Sequence, residues 1–303
     1  MIATTHATPF TVAITTRDNS VTQNLVIDNT MVYTVNFPKE SVGIKLTAPY
    51  DFMVYNMNYK IGSAEGFLVL PLDVLGTDYI VMGIEDPQGR NQIHIVATAD
   101  GTSITVSLSG GVTQSFLMNE TDIIKLMNRT EYTGTQITSD KPVAVISSSI
   151  TTTYPYGCSY RDHMVEQLTS TDKWGMRFAL VPIDHTCTAV PSCCHNKTFC
   201  SGCYEMFKVV AYADGTVVTR TGSVSNETFT LNAREWRTVL TMQDEFSYLQ
   251  SSKPLQVAQF MTGTEYQDQG ELELFGFVPK AQLGIFPKER CGVCRYFGQF
   301  SQN

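Results

Sequence analysis

The sequence predicts an all-β protein of three tandem, related, β-sandwich-like units, with a Cys-rich loop inserted between the second and third. Three observations carry this expectation. An Asp-Gly pair set among β-branched residues occurs twice, at Asp100-Gly101 and Asp214-Gly215. A Lys-Pro pair leading into an apolar run follows each, at Lys141-Pro142 and Lys253-Pro254, and the spacings of 114 and 112 residues between the paired landmarks differ by only two. Helical periodicity is nearly absent, with Thr121 to Asn128 the one stretch that reads as a short turn of helix.

Taken in order, the elements repeat. A faint first copy runs from Phe10, with Arg17-Asp18-Asn19-Ser20-Val21-Thr22 in place of the Asp-Gly turn and Thr47-Ala48-Pro49 through Val54 as the later landmark. A connector, Leu70 to Val81, follows. The second copy opens at Ile93-His94-Ile95-Val96-Ala97-Thr98-Ala99-Asp100-Gly101-Thr102 and reaches its landmark at Ile137 to Val145. Its connector spans Val165 to Leu180. In both connectors an aromatic, Tyr79 or Phe178, lies three residues after a glycine, Gly76 or Gly175. The third copy opens at Phe207-Lys208-Val209-Val210-Ala211-Tyr212-Ala213-Asp214-Gly215-Thr216, has its landmark at Leu249 to Val257, and ends on Phe277 to Lys280 and Leu283 to Phe286. Each Asp-Gly pair predicts a hairpin, because Gly supplies the positive φ of a tight primed turn. Each Lys-Pro predicts a turn into a buried strand, since Pro fits a strand's first residue and not its interior. The expected units are residues 1–88, 89–186 and 204–303, with 187–203 as the Cys-rich insertion.

Composition narrows the function classes. The formal net charge is -8 and no Lys/Arg stripe is present, which excludes nucleic-acid binding as an expectation. The best apolar run, Phe67 to Leu75, is broken by Pro71 and Asp73 and is too short to span a bilayer as a helix. The opening residues, Met1 to His6, lack the basic and apolar regions of a signal peptide. Two features still point to an oxidising, extracellular compartment, and the chain then reads as a fragment of a longer multidomain protein. Eight cysteines are present: Cys158, Cys187, Cys193, Cys194, Cys200, Cys203, Cys291 and Cys294. Four glycosylation sequons stand at Asn119, Asn128, Asn196 and Asn226.

The motif set, in this order, resembles the N-terminal domain of IgGFc-binding proteins. It consists of Leu70-Pro71-Leu72-Asp73-Val74-Leu75-Gly76-Thr77-Asp78-Tyr79, Ile95 to Thr102, Gly134 to Val145, and Asp162-His163-Met164-Val165-Glu166-Gln167-Leu168 with Trp174-Gly175. The similarity covers about residues 67–286. It implies a secreted or cell-surface module tied to adhesion, mucus or innate defence. The chain departs from the family in carrying Arg161 where members place a Cys, and in the 187–203 insertion, so no inherited disulfide partner is assigned to Cys158.

No phosphate-binding loop, nucleophile elbow or H-E-x-x-H is present, so no catalytic residue, cofactor or metal ligand is assigned and an enzyme is not expected. The nearest thing to a site is Asp162, His163 and Glu166, which reads either as an acid–base or metal cluster or as a structural segment beside Trp174. The pairs Cys200/Cys203 and Cys291/Cys294 could hold zinc, but their wide separation and the compartment favour disulfides. Trp174 and Trp236 read as core before they read as binding anchors. Asp100 and Asp214 are expected as turn residues before calcium ligands. The expected function is a non-catalytic module that binds extracellular proteins or glycoproteins. The rivals are a mucus or matrix component cross-linked through its cysteines and, behind that, a zinc-dependent enzyme.

Overall fold

The computed structural model describes residues 1–17, 22–37, 43–60, 63–84, 90–152, 162–182, 204–242, 245–260, 277–278 and 294–299. These residues form strands joined by two single 3₁₀ turns, which is the all-β fold the sequence predicts. The second unit shows the design best. Strands β8 (Asn91–Ala97) and β9 (Thr102–Ser107) both run antiparallel along one long strand, β12 (Gln136–Thr152), with Ala97 opposite Val143 and Ile104 opposite Ser139. They are successive stretches of a single course. β10 (Thr113–Met118) pairs with β9 and β11 (Ile123–Asn128) pairs with β8, forming a second course alongside the first.

This corrects two expectations. The Asp-Gly pair does not turn a hairpin; it makes a jog within one course. Gly101 and Gly215 do adopt left-handed φ, at 63° and 62°. The turn's polar groups, however, are met by side chains rather than by a returning strand. The Gly101 N–H donates to Asn119 Oδ1 (3.2 Å), the Ser103 N–H to Asp140 Oδ1 (2.8 Å), and Lys141 Nζ to the carbonyls of Asp100 (2.5 Å) and Gly101 (3.1 Å). The third unit repeats this, with Gly215 N–H on Asn232 Oδ1 (3.4 Å) and Lys253 Nζ on the Asp214 carbonyl (2.5 Å). Second, Thr121 to Asn128 is not helical: Ile123–Asn128 is strand β11, because the edge of β8 offers a complete antiparallel ladder.

The third unit has the same strand order. β15 (Tyr204–Ala211), β16 (Thr216–Gly222), β17 (Asn226–Leu231), β18 (Trp236–Met242) and β19 (Ser247–Phe260) take the places of β8 to β12. In the first unit β1 (Ile2–Ala3) and β2 (Phe10–Thr15) form the first course and β3 (Thr22–Ile27) pairs with β2. β4 (Gly43–Ala48) and β5 (Met53–Lys60) form the long course, divided at Pro49. β2 pairs with β4 as β9 pairs with β12. The β2–β3 hairpin at Arg17 therefore matches the β9–β10 hairpin, and residues 4–9 occupy the Asp-Gly position. An isolated bridge between Ile2 and Tyr33 marks where β11 would lie.

Connectors complete the sheets. β6 (Ser63–Val69) pairs with β5, and after a 3₁₀ turn at Leu72–Val74, β7 (Gly76–Ile80) pairs with β12. β13 (Asp162–Gln167) pairs with β12, and after a 3₁₀ turn at Thr171–Lys173, β14 (Gly175–Leu180) pairs with β19. β20 (Phe277–Val278) pairs with β19, and β21 (Cys294–Gln299) pairs with β4. The third-copy segment Leu283 to Phe286 lies outside the described residues.

Each sheet creases along its aligned jogs, and the two halves enclose a core. In the second unit Ile93 and Ile95 from one half meet Ile104, Val106 and Ile137 from the other. Neighbouring units then pack face to face: Val96, Ala144, Ile146 and Val165 of the second join the core of the first. Met206, Val210, Ala258 and Phe260 of the third join that of the second. A left-handed residue latches each contact. The Thr121 carbonyl (φ 65°) accepts from Gly43 N–H (3.1 Å), and its Oγ1 accepts from Arg17 N–H (2.9 Å). Arg234 (φ 69°) donates from Nε to the Gly134 carbonyl (2.6 Å) and from Nη2 to those of Ser107 (2.8 Å) and Leu108 (3.1 Å).

A Cβ on Gly43 would lie 2.4 Å from the Thr121 carbonyl oxygen, a backbone atom that cannot swing away. Gly43→Ala is expected to destabilise the protein by about 1–3 kcal/mol. Gly110→Ala, with nothing within 4 Å, should stay within about 0.5 kcal/mol. Denaturant melts of both variants check this; equal midpoints would contradict the latch.

Candidate functional site

Strand β8 reads Ile93-His94-Ile95-Val96 and β15 reads Phe207-Lys208-Val209-Val210, each burying one polar residue inside an apolar run. Counted back three residues from Ala97 and Ala211, His94 and Lys208 hold the same position in their units. Alternation along a strand sends neighbouring side chains to opposite faces. Ile93 and Ile95 therefore line the unit's own core, while His94 and Lys208 face the preceding unit. Sequence reasoning missed both residues, although a lone polar residue in a run buried on both faces was the available signal.

At the first contact, His94 Nε2 donates to Gln92 Oε1 (2.7 Å). Burial, then the charges of Lys125 and His163, holds the His94 pKa down at about 3. From β13, His163 donates from Nδ1 to the Ser149 carbonyl (2.9 Å), and its Nε2 accepts from Asn58 of β5 (3.2 Å). Gln167 Oε1 accepts from the Leu70 N–H (3.0 Å). Val165 packs toward the first unit and Met164 away from it. Alternation groups His163 with Val165 and Glu166 with Met164, so His163 and Glu166 do not converge. Burial, then the carboxylate of Glu65, pushes the Glu166 pKa well above the usual carboxylate range. Asp162 pairs through its backbone with Thr152. A cavity beside Gln92, Ser147, Ser149 and Met164 fits about one water molecule.

At the second contact, the Lys208 side chain is 2% exposed and paired with Glu131. Lys208 Nζ also donates to the Gly83 carbonyl (2.9 Å) and lies 4.2 Å from the Trp236 ring centroid, a cation–π distance. Trp236 is half-buried over this ammonium, whereas Trp174 is buried and donates Nε1 to the Thr169 carbonyl (3.3 Å).

The surface offers a different kind of feature. An open groove where the first two units meet is lined in part by Phe116, Ile123 and Ile124, with Arg17 paired to Asp122 beside it (3.2 Å). Leu117 at its rim is 76% exposed.

The other predicted site residues fall as follows. Asn128 and Asn226 are exposed, and their side chains accept from the N–H groups of Arg129 (2.7 Å) and Gly222 (3.2 Å). Asn119 is half-buried and its Oδ1 belongs to the Asp-Gly jog. Asp100 and Asp214 accept from the N–H groups of Glu120 (3.0 Å) and Ala233 (2.9 Å). Cys294 begins β21, with its backbone opposite Ala48. Cys158, Cys187, Cys193, Cys194, Cys200, Cys203, Cys291 and Asn196 lie outside the described residues, as does the 187–203 insertion. Among the described residues, no group of three or more His, Cys, Asp or Glu side chains is placed to hold a metal ion. No described helix is long and apolar enough to cross a membrane.

Two predictions follow from the buried groups. Lys208→Met should cost about 3–5 kcal/mol by leaving Glu131 unpaired, and adding Glu131→Gln should recover part of that loss. A double-mutant cycle by denaturant unfolding measures both; strict additivity would show that the pair is not coupled. A histidine held below its unfolded value of 6.5 favours the neutral form, so its contribution is present above that pH and is lost as pH falls toward 3. The loss is about 1.4 kcal/mol per pH unit in that window. Melts from pH 7 to 4.5 should show a shallower acid decline for His94→Gln than for the parent chain.

Comparison with known proteins gives a consistent result. The profile of the IgGFc binding protein family matches residues 65–286. The human (Homo sapiens) IgGFc-binding protein is 24% identical over 206 residues, covering 59% of this chain and 4% of that protein's length. A solved Ca2+-stabilized adhesin, with which an Antarctic bacterium binds ice, shares 11% identity. That match covers 90% of this chain and 65% of the other at a TM-score of 0.15, too low to carry a structural argument.

Proposed function

The chain belongs to the IgGFc-binding protein family, and on that premise we propose that it is an extracellular, non-catalytic module that binds proteins or glycoproteins. The family match over residues 65–286 carries this reading. Two structural features support it. The buried titratable residues His163 and Lys208 are committed to contacts between units, and the groove between the first two units is lined in part by the apolar side chains of Phe116 and Leu117. The module works in adhesion, mucus or innate defence as part of a longer secreted protein. Its cysteines form disulfides, and glycans occupy the exposed sequons, Asn128 and Asn226 first.

The test is a thiol count with intact-mass analysis on the chain expressed through a secretory pathway. The expected outcome is few or no free thiols among the eight cysteines, together with added glycan mass. Eight free thiols would overturn the extracellular reading. Thiols released only by a chelator would favour a zinc-dependent protein instead. The eight cysteines also admit a matrix component joined covalently between copies. A ladder on non-reducing gels that collapses with reductant would establish that alternative.

A further inference from the structure

The connectors share one design. β6 lies on the first unit and β7 on the second; β13 lies on the second and β14 on the third. Each connector leaves one strand on the unit it ends and lends the next to the unit it enters, beside the first part of that unit's long course. The third connector begins in the same way, with β20 on β19. Its following strand, β21, lies on β4 of the first unit in antiparallel register, from Cys294 opposite Ala48 to Gln299 opposite Gly43. β4 is the first unit's counterpart to the first part of β12 and β19. β21 therefore holds the place that β7 and β14 hold elsewhere.

We propose that the edge of β4 is a strand-binding site whose ligand is the extended segment 294–299 of the same chain, and that its docking closes the three units into a ring. The site needs such a strand. Ile44, Leu46 and Ala48 are buried in the first unit's core, and β2 occupies the other edge of β4. Without β21 the remaining N–H and C=O groups of Gly43–Ala48 would form an open ladder edge. Recognition is by β-augmentation, in which backbone hydrogen bonds hold the added strand. The tether is longer than in the other connectors: residues 279–293 separate β20 from β21, against 70–75 and 168–174 in the other two. Loop closure grows only with the logarithm of length, so the longer reach adds little cost.

Hydrogen–deuterium exchange on the full chain tests this. Successive N–H groups of a strand point to opposite edges, so of Phe297→Pro and Gly298→Pro one must remove a ladder donor to β4 and the other serves as its control. The expected result is exchange across residues 43–48 at least tenfold faster in one variant, with residues 91–97 and 206–211 unchanged. Unchanged exchange at 43–48 in both variants would overturn the proposal. A protease site placed between residues 279 and 290 adds an independent measurement. After cleavage, a fluorescein-labelled peptide of residues 291–303 should bind the cleaved chain and not the uncleaved one. Equal binding to both, or binding matched by a scrambled peptide, would also overturn it.

Discussion

The constraint on which this fold depends is that every course of a sheet must step aside along one line. The long strand β12 bends near Lys141-Pro142, and its neighbours have to jog at the same level or the ladders on either side fall out of register. The Asp-Gly jog and the turn at Asn119–Asp122 meet this requirement together. Asp100 receives the Glu120 N–H, Asn119 receives the Gly101 N–H, and Lys141 closes the group from the third course. The same interlock at Asp214, Asn232 and Lys253 explains why these residue types recur at matched spacing. Once the crease is set, the two halves face each other and bury a core that a flat sheet would leave in water.

The contacts between units use a second kind of economy. β8 is buried along its whole length, so every one of its side chains must serve either its own core or the neighbouring unit. An all-apolar seam would permit sliding, whereas His163 and Lys208 each bond particular partners across it, Asn58 in one case and Glu131 and the Gly83 carbonyl in the other. Buried polar groups are costly when displaced from those partners. The polar seams therefore give each pair of units one preferred docking position, while Ile146, Val165, Val210 and Phe260 supply the apolar burial.

The sequence made the repeat and the connectors legible, because each rests on a fixed spacing; the Lys-Pro pairs, expected as turns that open a strand, instead lie inside β12 and β19, where the register shifts. It did not show where the Asp-Gly polar groups would find their partners. A left-handed glycine serves a hairpin and a jog equally well, and only the distant Asn119 and Lys141 decide between them. Ile123 to Asn128 failed for a related reason: a short apolar stretch fits either period, and the ladder to β8 chose the strand. The grouping of Asp162, His163 and Glu166 rested on closeness in sequence, which strand alternation undoes for the last two. The latch at Gly43 was hidden because a glycine in a strand does not reveal which neighbour approaches it. The faint first copy was aligned one hairpin out, since its Asp-Gly position at residues 4–9 has neither residue.

The pairing of β1 with β5 and of β21 with β4 gives the molecule a particular mechanical layout. Both flanks of the described chain are anchored on the same divided strand course of the first unit. A load applied between β1 and β21 would pass through β5 and β4, a short bridge confined to that unit. The second and third units hang outside the line of tension. The groove at Phe116 and Leu117, lined in part by Arg17 and Gly43 of the first unit, borders that bridge and would feel the strain, whereas the third unit would keep its shape.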